Sequence, residues 1–373
     1  MKIAYTISGI YNSGGMENIL IQKANYLAEN LSYNVTIITT DQDSRDTFFN
    51  ISTKIETIDL GINYYKWVNN PFWHIIKKIL KYKHYRRLKK YLLQQNFDIV
   101  ISLMDFDMSF LYKINDNSKK ILESHFSKYR KSINSSNFIT RKLQQIRANL
   151  WDKIVIKYDK FVVLTNEDLL QWKSHNNICV IPNFINQETE RQSQLDNKRV
   201  ISIGRFTKQK GFDLLLKAWQ KVTKKYPDWI LTIIGGGDKT DYYRYISELG
   251  LKKTVLLMDS TNNIENEYLN SSLYVLSSRY EGLPLVLLEA MSFGLPIVSF
   301  RCPCGPLDIV KQEFGTLVEP NDYNGLAEAI MYWMESDQRR KSAGENAKEN
   351  AKSFQRDKIM KKWDNLFNNI ISS

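Results

Sequence analysis

Cysteine is scarce in this sequence: three in 373 residues, at positions 179, 302 and 304. Three thiols make no disulfide framework, so burial must hold the core, and a reduced, cytoplasmic setting is expected. No run of about 18 apolar residues occurs, which by pattern excludes a membrane-spanning helix. The opening stretch MKIAYTISGIYNSGGMEN is apolar only briefly before it meets glycines. It reads as a strand and loop, and no signal peptide is expected. Internal repeats and low-complexity tracts are missing too. One long interval has no acid at all: none occurs between Asp59 and Asp98.

The chain length exceeds one ordinary domain and suits two. Apolar residues make up 43% and charged residues 25%, enough for real cores in a soluble globular protein. Strand candidates in the first half are Ile3–Ile7, Val35–Thr39, Asp98–Leu103, Lys120–Glu123, Phe161–Leu164 and Ile178–Ile181. Those in the second are Val200–Gly204, Ile230–Ile234, Thr254–Met258, Leu273–Leu276, Pro296–Phe300 and Gly315–Val318. Helix-length segments separate them, among them Gly15–Asn30, Gly211–Lys225, Glu281–Phe293 and Asn324–Trp333. The alternation predicts an α/β protein of two doubly wound parallel sheets. A break is expected near Ile181-Pro182-Asn183, where proline ends the last strand. The polar stretch Gln187–Lys198 reads as linker, giving domains 1–185 and 186–355. A final amphipathic helix over 356–373 is expected to pack back on the first domain.

Net charge is +12 and uneven. Residues 1–185 hold 26 Lys and Arg against 16 Asp and Glu; residues 186–373 hold 26 against 24. The first half therefore faces something anionic. Its acid-free interval carries Lys66, Lys77, Lys78, Lys81, Lys83, Arg86, Arg87, Lys89 and Lys90, interleaved with Trp67, Trp73, Ile76, Leu80, Tyr85, Leu88 and Leu92. Trp73, Ile76 and Leu80 share one helical stripe and Tyr85, Leu88 and Leu92 another, which predicts a break near Tyr82–His84. Such a segment suits an anionic membrane surface, with Trp73, Lys77, Lys78, Lys81, Arg86 and Arg87 facing it. It equally suits a domain helix with its charged side in water. Arg130, Lys131, Arg141, Lys142 and Arg147 add to the basic excess. Nucleic acid is the competing anion, but no motif for it is present.

In open parallel sheets, ligands bind beyond the carboxyl ends of the strands. After the first strand, Gly14 and Gly15 precede a helix whose free N–H groups suit a phosphate or sugar oxygen, or form a plain tight turn. After the seventh, Gly204 is followed by Arg205 and Lys210, two cations able to close on a diphosphate; otherwise this is a solvated basic loop. Gly235-Gly236-Gly237-Asp238 forms a turn able to lie against a base or ribose. In Ser278–Ala290 a helix is predicted to start near Leu283, exposing the amides of Leu285 and Val286. Glu281 then lies in the loop before it, beside Gly282, placed to accept bonds from sugar hydroxyls. Glu289, two turns on, is placed for ribose hydroxyls. The cysteines lack zinc-ligand spacing. Asp105 and Asp107 read as a loop or acceptor-side pair, so no metal site is assigned.

The Glu281-seven-residues-Glu289 pattern in EGLPLVLLEAMSFGLPIVS resembles the retaining glycosyltransferases of family 4. The Gly-Arg-x-x-x-x-Lys-Gly element at 204–211 resembles their donor-diphosphate motif. The likeness extends to Arg301–Val310, Gly315–Glu319, Pro182-Asn183 and the Gly14-Gly15-x-Glu17 loop; the triple glycine at 235–237 departs from the family pattern. The resemblance implies a GT-B fold, two Rossmann-like domains facing across a cleft. It implies retention of configuration, Arg205 and Lys210 on the donor diphosphate, Glu281 on the transferred sugar, Glu289 on the ribose and amides near Leu285 and Val286 on the phosphates. His125 falls where the family often has a histidine near the sugar; it is otherwise an ordinary loop histidine. Fixed cations stand in for a divalent ion, so no cofactor or metal is expected. The expectation is transfer from a nucleotide sugar, UDP-linked, to a lipid-diphosphate-linked saccharide at the inner face of the cell membrane, in cell-surface polysaccharide synthesis. The alternatives are a non-hydrolysing sugar-nucleotide epimerase of the same fold and a non-enzymatic anion-binding module.

Overall fold

The computed structural model describes residues 1–128, 138–172, 176–185 and 189–372. Arg130, Lys131 and the first linker residues lie outside that set, as do the side chains of Arg141 and Arg147. The first part of the chain runs β1 (Lys2–Ile7), α1 (Gly15–Glu29), β2 (Asn34–Thr39), β3 (Glu56–Asp59), α2 (Trp73–Gln95), β4 (Ile99–Ser102), β5 (Lys119–Glu123), α3 (Phe138–Val155), β6 (Lys160–Val163), α4 (Asn166–Gln171) and β7 (Ile178–Val180). It continues with β8 (Arg199–Ile203), α5 (Phe212–Lys225), β9 (Ile230–Ile234), α6 (Thr240–Glu248), β10 (Val255–Met258), α7 (Ile264–Leu269), β11 (Leu273–Leu276), α8 (Leu285–Ser292), β12 (Ile297–Phe300), α9 (Pro306–Ile309), β13 (Gly315–Val318), α10 (Tyr323–Met334), α11 (Asp337–Ala351) and α12 (Arg356–Ser372).

These elements build two sheets, ordered β3-β2-β1-β4-β5-β6-β7 and β10-β9-β8-β11-β12-β13. Every described pairing is parallel. Interior strands such as β4 (IVIS) and β12 (IVSF) are buried at all four positions, as β-branched runs covered on both faces must be. Strand order reverses beside β1 in the first sheet and beside β8 in the second. At such reversals neighbouring crossovers diverge and leave a crevice, which fixes where ligands can enter.

Two compact units result. One comprises Met1–Leu164, Leu169–Ile181 and Ile359–Ser373; the other comprises Thr165–Asp168 and Pro182–Lys358. The boundary thus falls at 181/182 rather than 185/186, the tail joins the first unit from 359 rather than 356, and a four-residue segment inside the first half belongs to the second unit. The tail helix α12 buries Ile359, Met360, Trp363, Phe367 and Ile370, one amphipathic stripe.

β3 was not legible in the sequence: three of its four residues, ETID, are polar and none is fully buried. The expected break near Tyr82–His84 is absent, and α2 is one helix of 23 residues. Its buried stripe is Leu80, His84, Leu88 and Leu92, four apart throughout. A histidine carries the stripe across the gap: the His84 ring lies 3.2 Å from the Tyr64 hydroxyl through Nδ1 and meets the Phe110 ring edge-on. Burial pulls its pKa down to about 3, so it sits there neutral. Trp73 does not face outward as expected; it packs on the core with Ile76 and Tyr85. Lys81 is half-buried, and Arg87 donates to the carbonyls of Leu60 and Gly61. What α2 and its approach expose is Phe72, Ile75, Ile79 and Tyr82, each more than 60% accessible, beside Lys77, Lys78, Arg86 and Arg87, which are exposed as expected.

Asp107 is buried at the carboxyl edge of the first sheet. It accepts hydrogen bonds from Thr6 Oγ1 (2.5 Å) and Ser102 Oγ (2.8 Å), joining the ends of β1 and β4. Burial pushes its pKa up to about 6 against those bonds. A carboxyl whose pKa is higher folded than unfolded favours the fold while protonated. Its contribution is full below the ordinary carboxylate range and is lost as pH rises through about 6. Unfolding free energy should therefore fall by up to ~3 kcal/mol between pH 4 and 7. Asp107→Asn should flatten that slope in urea titrations; an unchanged slope would remove Asp107 as its source.

Candidate functional site

At the strand-order reversal of the second sheet, the loops after β8 and β11 lie side by side. Arg279 N–H donates to the Gln209 carbonyl at 2.8 Å, Gln209 Nε2 to the Tyr280 carbonyl at 3.0 Å, and Ser277 Oγ to the Lys210 carbonyl at 2.8 Å. The Arg279 guanidinium forks onto Asp213 (2.9 and 2.7 Å) and also holds the Lys208 carbonyl at 2.6 Å. Burial works to raise the Asp213 pKa, but Arg279 overrides it and holds the carboxyl below its usual range. Asp213 lies in the first turn of α5, where a negative charge also suits the helix dipole. These two loops therefore form one rigid rim.

Glycines let the rim close. Gly211 has φ +65°, and a Cβ there would overlap the Ser277 carbonyl. At Gly235 a Cβ would overlap the Gly204 carbonyl, so the turns after β8 and β9 touch backbone to backbone. The stem of Lys210 crosses Gly204, its Cδ and Cε 2.9 Å from where a Cβ would stand. That course brings Lys210 Nζ to 2.7 Å from Glu281 Oε1, with Glu281 only 9% exposed. Arg205 is exposed, and among the described residues its guanidinium has no hydrogen-bond or ion-pair partner.

Glu281 is held by its backbone as well. Its N–H donates to the Pro303 carbonyl at 2.8 Å, and its carbonyl accepts from Cys304 N–H at 3.3 Å. Gly305, at φ +105°, lies against Gly282, Leu283 and Pro284, where no side chain would fit. α8 starts at Leu285, two residues later than the sequence suggested, because Pro284 is its N-cap in extended geometry. Leu283 is buried, so it can offer a ligand only its backbone. Leu285 and Val286 stand at the first two helical positions, where amides have no partner inside the helix. Glu289, half-buried on the same helix, accepts the Tyr268 hydroxyl at 2.8 Å, and burial raises its pKa against that bond. Gly204, Lys210, Gly235 and Glu281 are thus brought into contact, Gly282 follows Glu281, exposed Arg205 follows Gly204, and Leu285 and Val286 open the helix just beyond. A cation pair, an inward carboxylate and two free amides are suited to a diphosphate bearing a polyhydroxylated group.

The first unit carries the other expected residues. Gly14 caps α1 in extended geometry, and Glu17 folds back over it. His125 follows β5, its Nε2 3.0 Å from Glu123 Oε1 but off hydrogen-bond alignment. Glu123 is fully buried against Lys23, whose Nζ reaches both carboxylate oxygens at 2.6 and 2.5 Å. Burial alone would raise the Glu123 pKa, but Lys23 and His125 hold it at about 2. Lys23 in turn stands over the Trp363 ring of α12 at 4.0 Å. Sequence reading missed Arg279, Asp213 and Lys23, since each acts through a partner distant in the chain.

Residues 184–350 match the family described as glycosyl transferases group 1. Over 98% of its length the chain is 32% identical to an uncharacterized glycosyltransferase of Haemophilus influenzae, covering 99% of that protein. It is 25% identical, over 97% of both chains, to a Campylobacter jejuni enzyme named GalNAc-alpha-(1->4)-GalNAc-alpha-(1->3)-diNAcBac-PP-undecaprenol alpha-1,4-N-acetyl-D-galactosaminyltransferase. The solved pneumococcal O-GlcNAc transferase GtfA, in complex with UDP and GlcNAc, superposes with a TM-score of 0.72 over 100% of this chain and 99% of its own. At 15% identity that likeness speaks for the fold, which is GT-B.

Proposed function

Since the chain belongs to the glycosyltransferases, we propose that it moves a sugar from a UDP-linked donor, with retention of configuration, to a lipid-diphosphate-linked saccharide in cell-surface polysaccharide synthesis. The observation that carries this reading is the Lys210–Glu281 pair at the strand-order reversal of the second sheet. There Arg205, Lys210 and the amides of Leu285 and Val286 take the diphosphate. Glu281 accepts hydroxyls of the transferred sugar, and Glu289 those of the ribose. The donor competes with Glu281 for the Lys210 ammonium, so binding turns the cation to phosphate and frees the carboxylate for the sugar. As the glycosidic bond breaks, negative charge grows on the diphosphate and positive charge on the anomeric carbon. Fixed cations and helix amides stabilise the first, and no divalent ion is needed. The undecaprenol-diphosphate named for the Campylobacter relative supports this choice of acceptor.

No helix of the described residues is long and apolar enough to cross a membrane. The acceptor is instead reached from the surface, at the cytoplasmic face, through α2. Its exposed Ile75, Ile79 and Tyr82 flanked by Lys78 and Arg86 suit an anionic interface, where each basic residue contributes about 1 kcal/mol. Flotation with vesicles containing phosphatidylglycerol should carry the protein up. Exchanging Ile75 and Ile79 together for serine should reduce the floated fraction about ten-fold; a variant that floats like the parent would end the membrane reading.

The reaction itself is tested with UDP-glucose, UDP-galactose, UDP-GlcNAc and UDP-GalNAc against a polyprenyl-diphosphate monosaccharide, in chelator. One donor should be turned over with its anomeric configuration kept, and Arg205→Ala should slow that turnover at least ~10-fold. Failure of all four, or turnover only with added divalent metal, would overturn the proposal.

A further inference from the structure

The turn that carries Lys210 is held at three successive carbonyls. Ser277 Oγ donates to the Lys210 carbonyl (2.8 Å), the Arg279 N–H to that of Gln209 (2.8 Å) and the Arg279 guanidinium to that of Lys208 (2.6 Å). Gly211, the next residue, is pressed against the Ser277 carbonyl. The guanidinium is itself fixed, since Nη1 and Nη2 reach the two Asp213 carboxylate oxygens at 2.9 and 2.7 Å. Asp213 lies just past the turn, at the start of α5. Arg279 thus ties residue 208 to residue 213 and closes the loop that has Lys210 within it. Beyond Arg279 and Tyr280 stands Glu281, whose Oε1 meets Lys210 Nζ at 2.7 Å.

A cation on the rim of a donor crevice invites a simpler role, direct contact with the diphosphate. The bonds of Arg279 speak against it. Both Nη atoms face Asp213, and Nη1 is shared with the Lys208 carbonyl, so the charge is already met by a carboxylate in forked geometry. A phosphate would have to displace Asp213 first, whereas exposed Arg205 stands open. We infer that Arg279, gripped by Asp213, is a positioning residue that fixes the turn of Lys210 against the loop of Glu281 without touching the substrate. The inference rests on the donor-site reading given above. Its physical basis is preorganisation: a cation on a loose turn can still find a resting diphosphate, but it stabilises less of the charge that grows as the bond breaks.

The test uses the full chain, UDP, and whichever of the four UDP-sugars is turned over. Arg279→Met should lower kcat about ten-fold or more, the scale of a catalytic group slightly misplaced. Affinity for UDP alone should stay within about three-fold, because Arg205 and Lys210 remain; a general loss of structure would weaken both. Arg279→Lys keeps the charge without the fork, so its kcat should lie within about three-fold of that of Arg279→Met. Asp213→Asn removes the counter-charge and separates the two roles: it should lower kcat about three-fold or more without tightening UDP. A phosphate ligand would behave otherwise, with UDP affinity lost in Arg279→Met, restored in Arg279→Lys and raised in Asp213→Asn, and that pattern overturns the inference. Full turnover by Arg279→Met, with Lys210→Ala impaired, also overturns it and leaves the donor site standing. Full turnover by Lys210→Ala instead brings down the site reading itself. Should Arg279→Met not fold, Arg279→Lys and Asp213→Asn decide, and turnover equal to the parent's in either overturns the inference.

Discussion

Alanine at Lys210 is expected to lower kcat/KM by about 10²–10³, the usual loss when one preorganised charge facing the developing anion is removed. Two effects combine. The cation that crosses Gly204 toward the crevice disappears, and Glu281, 9% exposed, loses its 2.7 Å partner. The second effect separates this variant from a plain loss of surface charge: exposed ion pairs are worth at most about 1 kcal/mol, whereas this pair lies inside the rim. Arginine at 210 keeps the charge but must fit a wider head where a slender stem now passes over Gly204, so it should rescue only in part. Steady-state kinetics with the donor, beside calorimetry with UDP, checks both. A change of less than three-fold in kcat/KM would show that Lys210 faces no donor.

The second large effect lies in the first unit and concerns stability. Methionine at Lys23 should cost about 3–5 kcal/mol, because it leaves Glu123 charged, buried and facing only His125. Replacing both partners, Lys23→Met with Glu123→Gln, should recover most of that loss, since an isolated buried charge costs more than an absent pair. Urea unfolding of the two singles and the double gives the coupling directly. The first variant should also loosen α12, whose Trp363 ring lies under the ammonium. Amide exchange in the tail would register it. A single variant within 1 kcal/mol of the parent would mean that water or a shift of the backbone already compensates the pair.

Much of this fold could be read from pattern because parallel strands buried on both faces leave uninterrupted apolar runs. The strands around Ile3, Ile37, Ile233 and Val298 were legible for that reason. β3 was not, because an edge strand with one open face carries no such run. α2 misled for a different cause: hydrophobic periodicity counts His84 as polar, yet burial leaves it neutral and part of the stripe. The same helix shows the limit of composition, since lysines and aromatics announce an amphipathic surface but not which side is turned out. At the site, Lys210 stood out because it follows a strand end and a glycine, and Glu281 because it lies in the loop between a strand and a helix that Pro284 opens. Arg279 and Asp213, 66 positions apart, and Lys23 and Glu123, 100 apart, gave no local signal. Their pairing exists only once strand order brings the loops together.

The excursion of Thr165–Asp168 also bears on how such a protein can be recombined. A crossover near Pro182 looks like a clean exchange of donor-binding halves. It would leave behind four residues, two of which, Asn166 and Glu167, clasp Asp308, and the incoming half would meet a foreign clasp. Chimaeras that carry 165–168 along with the donor half should inherit its specificity intact, while single-breakpoint hybrids should fold and bind nucleotide yet transfer poorly. The natural unit of exchange is therefore discontinuous in the gene, and a lineage swapping donors by recombination needs more than one junction to do it.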